Sequence, residues 1–284
     1  MLLEVILKSK FKCNIYIIFC VMYLYIIMTI SRNIGKISNI FACWLELLIR
    51  AMNANEGVLP IILPLVLSAF AILWRLFMVL PCINGNRTNV DRKNRSLKEL
   101  QGNIEGKRIM IFLGSGGHTA EMMRILEGAN LSNLERTWVA SSGDSSSLLK
   151  CKKYEEENHS LSKYKANYIT IDRARSVGQS FLLSITSTAK STISIIEALY
   201  PFTKLPSVLL LDGPGTCVPL AYVVILLKFF GFCKTKIIYI ESLARVAQLS
   251  WSGKLTLPIA DRFIVQWEQL SYKHKRAEYY GILI

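Results

Sequence analysis

Polar residues thin out twice along the first third of the chain. Leu59 to Leu80 runs 22 residues with Arg75 as its one charge, and a transmembrane helix needs about 20 mostly apolar residues. Arg75 sits near the end of that run, where a long side chain reaches the headgroups. Cys13 to Ile30 holds 18 residues without a charge and predicts a second span. A cleaved signal peptide is the rival there, but Met28-Thr29-Ile30 offers no small-x-small cleavage site. Between the two, Ile40 to Arg50 is too short to cross and reads either as an interfacial helix or as a loop helix without a role.

After Lys107 the pattern changes. Lys107–Leu113, Thr137–Ala140, Asn167–Ile171, Val208–Leu211, Lys236–Ile240 and Arg262–Val265 are short apolar runs rich in β-branched and aromatic residues, and they predict six strands. Helical stretches separate them. A polar helix runs from the Ser141–Ser145 turn through His159. A long helix covers Ser180 to Tyr200, with Phe181, Ile185, Ala189, Ile193, Ile196 and Leu199 on one side. Val218 to Phe230, apolar all round except Lys228, predicts a buried crossover helix. Strands alternating with helices predict an α/β fold, a single Rossmann-like, doubly wound parallel sheet, here preceded by transmembrane helices. The domains are then 1–58, an N-terminal segment with a membrane helix at 13–30; 59–81, a transmembrane helix; 82–106, a basic linker; and 107–284, the Rossmann-like domain.

Charge adds a direction to this plan. The formal net charge is +14, but no zinc-finger spacing, RRM signature or basic helix accompanies it, so nucleic acid is not the implied partner. Arg87, Arg92, Lys93, Arg95, Lys98, Lys107 and Arg108 outweigh Asp91, Glu99 and Glu105 after Leu80. The positive-inside rule therefore puts the later domain in the cytosol. The seven cysteines are odd in number and form no C-x-x-C pair, which implies neither a zinc site nor a disulfide framework.

Candidate chemistry collects at the predicted carboxyl ends of the strands, where ligands sit in such sheets. Gly114-Ser115-Gly116-Gly117-His118-Thr119 follows the first strand and opens a helix. Glycines let the backbone approach an anion, and the free N–H groups of a helix start point at it, so the loop suits a diphosphate. Ala120 and Glu121 stand where a dinucleotide fingerprint would place its third glycine, which disfavours a nicotinamide cofactor. Asp172 to Gln179 with Arg173 and Arg175, Asp212 to Cys217 with Gly213, Gly215 and Thr216, and Glu241-Ser242 would ring the same crevice. Arg173 and Arg175 are phosphate ligands or a solvated loop; Gly213-Pro214-Gly215 is a crevice wall or a tight turn. His118 is a helix-start imidazole or a proton-transfer group. No metal cluster and no cofactor is implied.

These residues carry a resemblance. The glycine loop with Glu121-Met122, Val177-Gly178-Gln179-Ser180, Gly213-Pro214-Gly215-Thr216-Cys217-Val218-Pro219, Tyr239-Ile240-Glu241-Ser242 with Arg245-Val246, Leu249-Ser250 with Ser252-Gly253-Lys254, and Phe263-Ile264-Val265-Gln266-Trp267 resemble the asparagine-linked glycosylation protein fourteen family over Lys107 to Ile284. The resemblance implies the membrane-anchored subunit of an endoplasmic reticulum UDP-N-acetylglucosamine transferase, with its soluble domain on the cytosolic face. That enzyme adds the second GlcNAc to dolichyl-diphosphate-GlcNAc. It also implies the N-terminal half of a two-Rossmann GT-B glycosyltransferase, whose other half, the family's cytosolic partner subunit thirteen, binds UDP-GlcNAc. A chain with room for one Rossmann domain independently needs a second wall for such a cleft.

By the same resemblance Gly114, Ser115, Gly116, Gly117 and His118 hold the acceptor diphosphate and Gly213, Gly215 and Thr216 line the same crevice, while Thr119, Glu241, Arg173 and Arg175 are further substrate-binding candidates by their place at the strand ends. His118 is the candidate general base and Glu121 the second. The tail Tyr279, Tyr280, Ile282, Leu283 and Ile284 is the partner-binding candidate. Two positions depart from the family: Asp212 in place of the usual asparagine, which adds negative charge near the diphosphate, and Glu268 in place of proline. Two other readings compete. One is a purely structural anchor for the catalytic subunit; the other is a self-sufficient Rossmann enzyme.

Overall fold

The computed structural model describes residues 59–84, 106–127, 129–175, 181–213 and 215–284. The chain divides into two compact units, Met1–Phe77 and Met78–Ile284. Helix α1 (Leu59–Val79, 21 residues) forms where the longer apolar run predicts one, and a single turn, α2 (Pro81–Asn84), follows. Phe70, Trp74 and Phe77 stack along one side of α1 and are exposed. Among the described residues no helix is long and apolar enough to cross a membrane; within the predicted 59–81 span the described structure is helix α1. The predicted span at 13–30, the stretch 40–50 and most of the 82–106 linker lie outside the described residues.

The second unit is built on a seven-stranded sheet of β1 (Arg108–Leu113), β2 (Glu135–Ser141), β3 (Asn167–Ile171), β4 (Val208–Asp212), β5 (Lys236–Ile240), β6 (Arg262–Val265) and β7 (Ala277–Tyr279). Their order is β3-β2-β1-β4-β5-β6-β7, and every neighbouring pair is parallel. Both faces are covered, because successive side chains of a strand point to opposite sides. Met110 and Phe112 of β1 enter one core cluster while Ile111 and Leu113 enter the other. The first cluster packs under α5 (Phe181–Leu199) and α6 (Cys217–Phe229), the second under α3 (Gly117–Glu127) and α4 (Ser145–His159). That double burial explains why the strands read as continuous apolar runs rather than alternating ones. Two short helices, α7 (Trp251–Thr256) and α8 (Glu268–Lys273), complete the unit. Glu268 takes the first position of α8, where proline is equally at home because that N–H has no partner in the helix.

Two expectations need correcting. The seventh strand went unpredicted, for Ala277-Glu278-Tyr279 is three residues long with a charge at its centre. Helix α5 forms as predicted, but Ile185, Ile193 and Ile196 of its apolar side are exposed. The side turned inward carries the buried Ile195, with Leu199 of the predicted side packed against the core, and a row of hydroxyls. Ser187 Oγ donates to Ala174 O (2.7 Å), Ser191 Oγ donates to Asp172 O (2.7 Å), and Asp172 N donates to Ser194 Oγ (3.2 Å). These hydroxyls satisfy the backbone of the segment after β3, a requirement that outranks burial of the isoleucines.

One buried ion pair fixes β2 to the helix that covers it. Arg136 is 1% exposed, and its Nε donates to both oxygens of Glu155 at 2.9 and 3.0 Å. Its Nη atoms donate to Leu131 O, Leu134 O and Tyr164 O, while Trp138 Nε1 donates to Glu155 Oε1 at 2.7 Å. Arg136→Met should lower unfolding stability by about 3–5 kcal/mol, because it leaves Glu155 buried and uncompensated. The double variant Arg136→Met/Glu155→Gln should recover part of that loss, and urea unfolding of the purified chain measures both.

Candidate active site

Strand β1 pairs with β2 on one side and with β4 on the other. Connections therefore leave in opposite directions there, and the loops after β1 and β4 part to open a crevice at the carboxyl end of the sheet. The glycine loop fills one side. Gly114 is buried, Ser115, Gly116 and Gly117 are exposed, and α3 starts at Gly117. Gly116 has φ +65°, a left-handed conformation that only glycine adopts without strain. A Cβ built on Gly116, Gly117 or Gly215 meets nothing within 4 Å, so open space faces the unpaired N–H groups of the helix start.

Thr119, predicted as lining, is instead fully buried support. Its hydroxyl donates to Gly114 O and lies 2.6 Å from Ser147 Oγ, which donates to Asp144 Oδ2 at 2.6 Å. Asp144 also caps α4 by accepting from Ser147 N (3.2 Å). The loop is thus pinned from behind by the start of the neighbouring helix.

Opposite the glycine loop, β4 ends in Asp212, which has no exposed surface. Its Oδ1 lies 3.3 Å from His118 Nδ1. Gly213 follows with φ +62°, and a Cβ there would land on the His118 ring. The imidazole therefore occupies the space that glycine leaves. The hydrogen bond to Asp212 raises the pKa of His118 above the ordinary histidine value, against the lowering effect of burial. Burial in turn pushes the Asp212 carboxyl up to about 6, against the effect of His118.

Glu121, the second candidate base, has the geometry of a structural tie. Its Oε2 accepts from Ser242 Oγ (2.8 Å), and its Oε1 accepts from Leu243 N (2.7 Å) and Gln266 Nε2 (2.5 Å). Glu241 is 1% exposed. It accepts from Ser250 N (3.0 Å) and Ser250 Oγ (3.1 Å), and a Cβ on Gly253 would strike its carboxylate. Burial raises its pKa. It supports the crevice floor rather than lining it, and Thr216 does the same by accepting from Ala174 N at 3.2 Å. That contact brings the segment after β3 across to the start of α6, so Arg173 (half-buried) and Arg175 (exposed) flank the site. Residues 176–180 lie outside the described residues.

His118, Glu121 and Asp212 each offer a ligand atom within 4.8 Å of one another. With three donors already on Glu121, the set fits a proton-handling pair above a structural carboxylate better than a metal cage.

The tail divides into anchored and exposed parts. Leu283 N donates to Gln266 Oε1 at 3.2 Å, and its side chain packs against the second core cluster. Tyr279 closes β7. Tyr280, whose hydroxyl donates to Glu278 Oε2 at 2.6 Å, is exposed, as are Ile282 and Ile284.

Asp212 as the partner of His118 and Gln266 as the link between Glu121 and the tail were not read from the sequence. The signal available was position alone, since both directly follow or close strands whose ends face the crevice. Gly213→Ala should displace the His118 ring and strain a left-handed backbone, costing about 1–3 kcal/mol in stability. Comparing its urea midpoint with that of Gly215→Ala, which has open space, checks the assignment.

A family profile described as "Oligosaccharide biosynthesis protein Alg14 like" matches residues 109–283. The chain is 58% identical over 220 residues to the UDP-N-acetylglucosamine transferase subunit ALG14 of Debaryomyces hansenii, covering 78% of this chain and 94% of that one. It is 49% identical over 213 residues to that of Candida albicans, covering 75% and 91%, and 35% identical over 185 residues to that of Mus musculus, covering 63% and 84%. Among solved structures, MurG of Acinetobacter baumannii overlaps with a TM-score of 0.39 at 13% identity, covering 56% of this chain and 41% of that one. A family match over more than half of the chain, with relatives this similar, shows that the chain belongs to the Alg14 family of oligosaccharide biosynthesis proteins.

Proposed function

We propose that this chain is the membrane-anchored subunit of a UDP-GlcNAc transferase that adds the second GlcNAc to dolichyl-diphosphate-GlcNAc, contributing the acceptor site and recruiting a cytosolic catalytic partner that holds UDP-GlcNAc. The observation that carries this reading is the glycine loop at the switch point of the sheet. There Gly116, Gly117 and Gly215 face open space in front of the first N–H groups of α3, a geometry suited to a diphosphate. The names of the relatives, subunits of a UDP-N-acetylglucosamine transferase, agree with it.

In this reading the acceptor diphosphate lies against Ser115–Gly117, with Arg173 and Arg175 at the flank as cationic partners. N–H dipoles and guanidinium groups balance its charge. His118 accepts the proton of the acceptor's 4-hydroxyl. A single Rossmann-like sheet offers only one wall of the crevice, and the partner supplies the other. The exposed Tyr280, Ile282 and Ile284 beside the anchored Leu283 are the docking candidates, since burying one such apolar side chain is worth about 1.5–3 kcal/mol. The α1 segment, 21 residues with Arg75 as its charge, is the proposed anchor, with the sheet on the cytosolic face of the endoplasmic reticulum. A purely structural anchor is the second reading. The half-exposed imidazole held against a buried carboxylate speaks against it, because anchoring alone calls for no such pair.

Gly116→Val in the complex with its partner should lower transfer by about 10²–10³-fold, the scale of losing a preorganised donor, while partner capture persists. Full activity in that variant sinks the acceptor-site reading. For topology, Asn86-Arg87-Thr88, Asn94-Arg95-Ser96, Asn130-Leu131-Ser132 and Asn158-His159-Ser160 are glycosylation sequons. None should carry a glycan, and an endoglycosidase mobility shift would place the domain in the lumen instead.

A further inference from the structure

Asp212 closes a central strand with a wholly inaccessible side chain, yet its Oδ2 has no hydrogen-bond partner among the described residues. An unpaired buried carboxylate oxygen is costly, and most folds supply a donor or an uncharged residue instead. Here the one contact made is Oδ1 to His118 Nδ1. The charged groups that face His118 are Asp212 at the end of β4, Glu121 one turn along α3 and Glu241 at the end of β5. Glu121 and Glu241 are committed to Ser242, Leu243, Gln266 and Ser250, so Asp212 is the carboxylate that answers the imidazole. From α6 the neighbour of Asp212 is Cys217, a buried thiol that burial keeps protonated. Gly213 then leaves the ring room against the backbone that follows Asp212, where a Cβ would collide with it.

We propose that Asp212 is the positioning residue of a His–Asp pair, accepting the Nδ1–H of His118 so that the lone pair on Nε2 is presented to the acceptor hydroxyl. This rests on the acceptor-site reading above. In the transfer step the acceptor's O4 gives its proton to Nε2 and bonds to the anomeric carbon of UDP-GlcNAc. The bond from that carbon to the β-phosphate oxygen breaks, and its electron pair leaves with UDP. The imidazolium keeps its Nδ1–H on Asp212, which stabilises the added charge, and Nε2 later loses its proton to solvent. The buried carboxylate is thereby compensated at the moment when positive charge appears beside it.

Asparagine at 212 would still offer Oδ1 to the ring but no charge, which separates the electrostatic role from a structural one. A base must be unprotonated to act, so the acid limb of the profile of kcat/KM against pH reports the His118–Asp212 pair. Asp212 raises the proton affinity of His118. Asp212→Asn, assayed in the complex with its partner on dolichyl-diphosphate-GlcNAc, should therefore move the acid limb to lower pH. It should also lower kcat while leaving the KM for the acceptor unchanged. His118→Ala, the second variant, should erase the limb and lower the rate by about 10²–10⁴-fold. An unmoved limb in Asp212→Asn, a loss confined to KM, or a limb that survives in His118→Ala each overturns the pair while leaving the acceptor-site reading intact. Absence of transfer by the unsubstituted complex would instead overturn that reading and the pair with it.

Discussion

The carboxyl end of the sheet depends on one buried carboxylate. Glu121 sits one turn into α3, and its two oxygens collect donors from the segment after β5 and from Gln266 after β6. Three pieces of chain distant in sequence are thereby locked to the helix that starts with the glycine loop, since Gln266 also takes the amide of Leu283. A carboxylate at 9% exposure holds this position because three donors replace the water it has lost. Remove it, and the loop after β5, the end of β6 and the C-terminal tail lose their common attachment.

Two carboxylates at the same depth serve different ends. Glu121 is saturated with donors and acts as a fastening. Among the described residues Asp212 has one side-chain hydrogen bond and an unpaired oxygen, and its pKa is pushed up to about 6 by burial. In the proposed pair the contrast is between a group placed for rigidity and a group whose partner is charged for only part of a cycle. Glu241, held by Ser250 and by the closeness of Gly253, belongs with the first.

The fold was largely legible because parallel strands covered on both faces leave uninterrupted apolar runs, and six of the seven strands carry one. The glycine loop was legible for a related reason: its residue types state a backbone requirement directly. What escaped were facts about direction. Composition shows that Thr119, Thr216 and Glu241 lie near the crevice but not that their side chains point away from it into the supporting layer. The isoleucines of α5 mislead in the same way, since periodicity finds an apolar side without revealing that serine hydroxyls have claimed the inner one. Asp212 read as an awkward negative charge near a diphosphate until the imidazole beside it was in view.

Gly213 and His118 are 95 positions apart, yet they share one volume: the ring occupies the place where any other residue at 213 would put its first side-chain carbon. Such a pair cannot drift independently. A lineage that fills 213 must first give up the ring, and it must also hold a side chain on a backbone with φ +62°. Across relatives a side chain at 213 should therefore appear only where the ring at 118 has gone, whereas glycine at 213 is compatible with either residue at 118, because its backbone favours glycine on its own account.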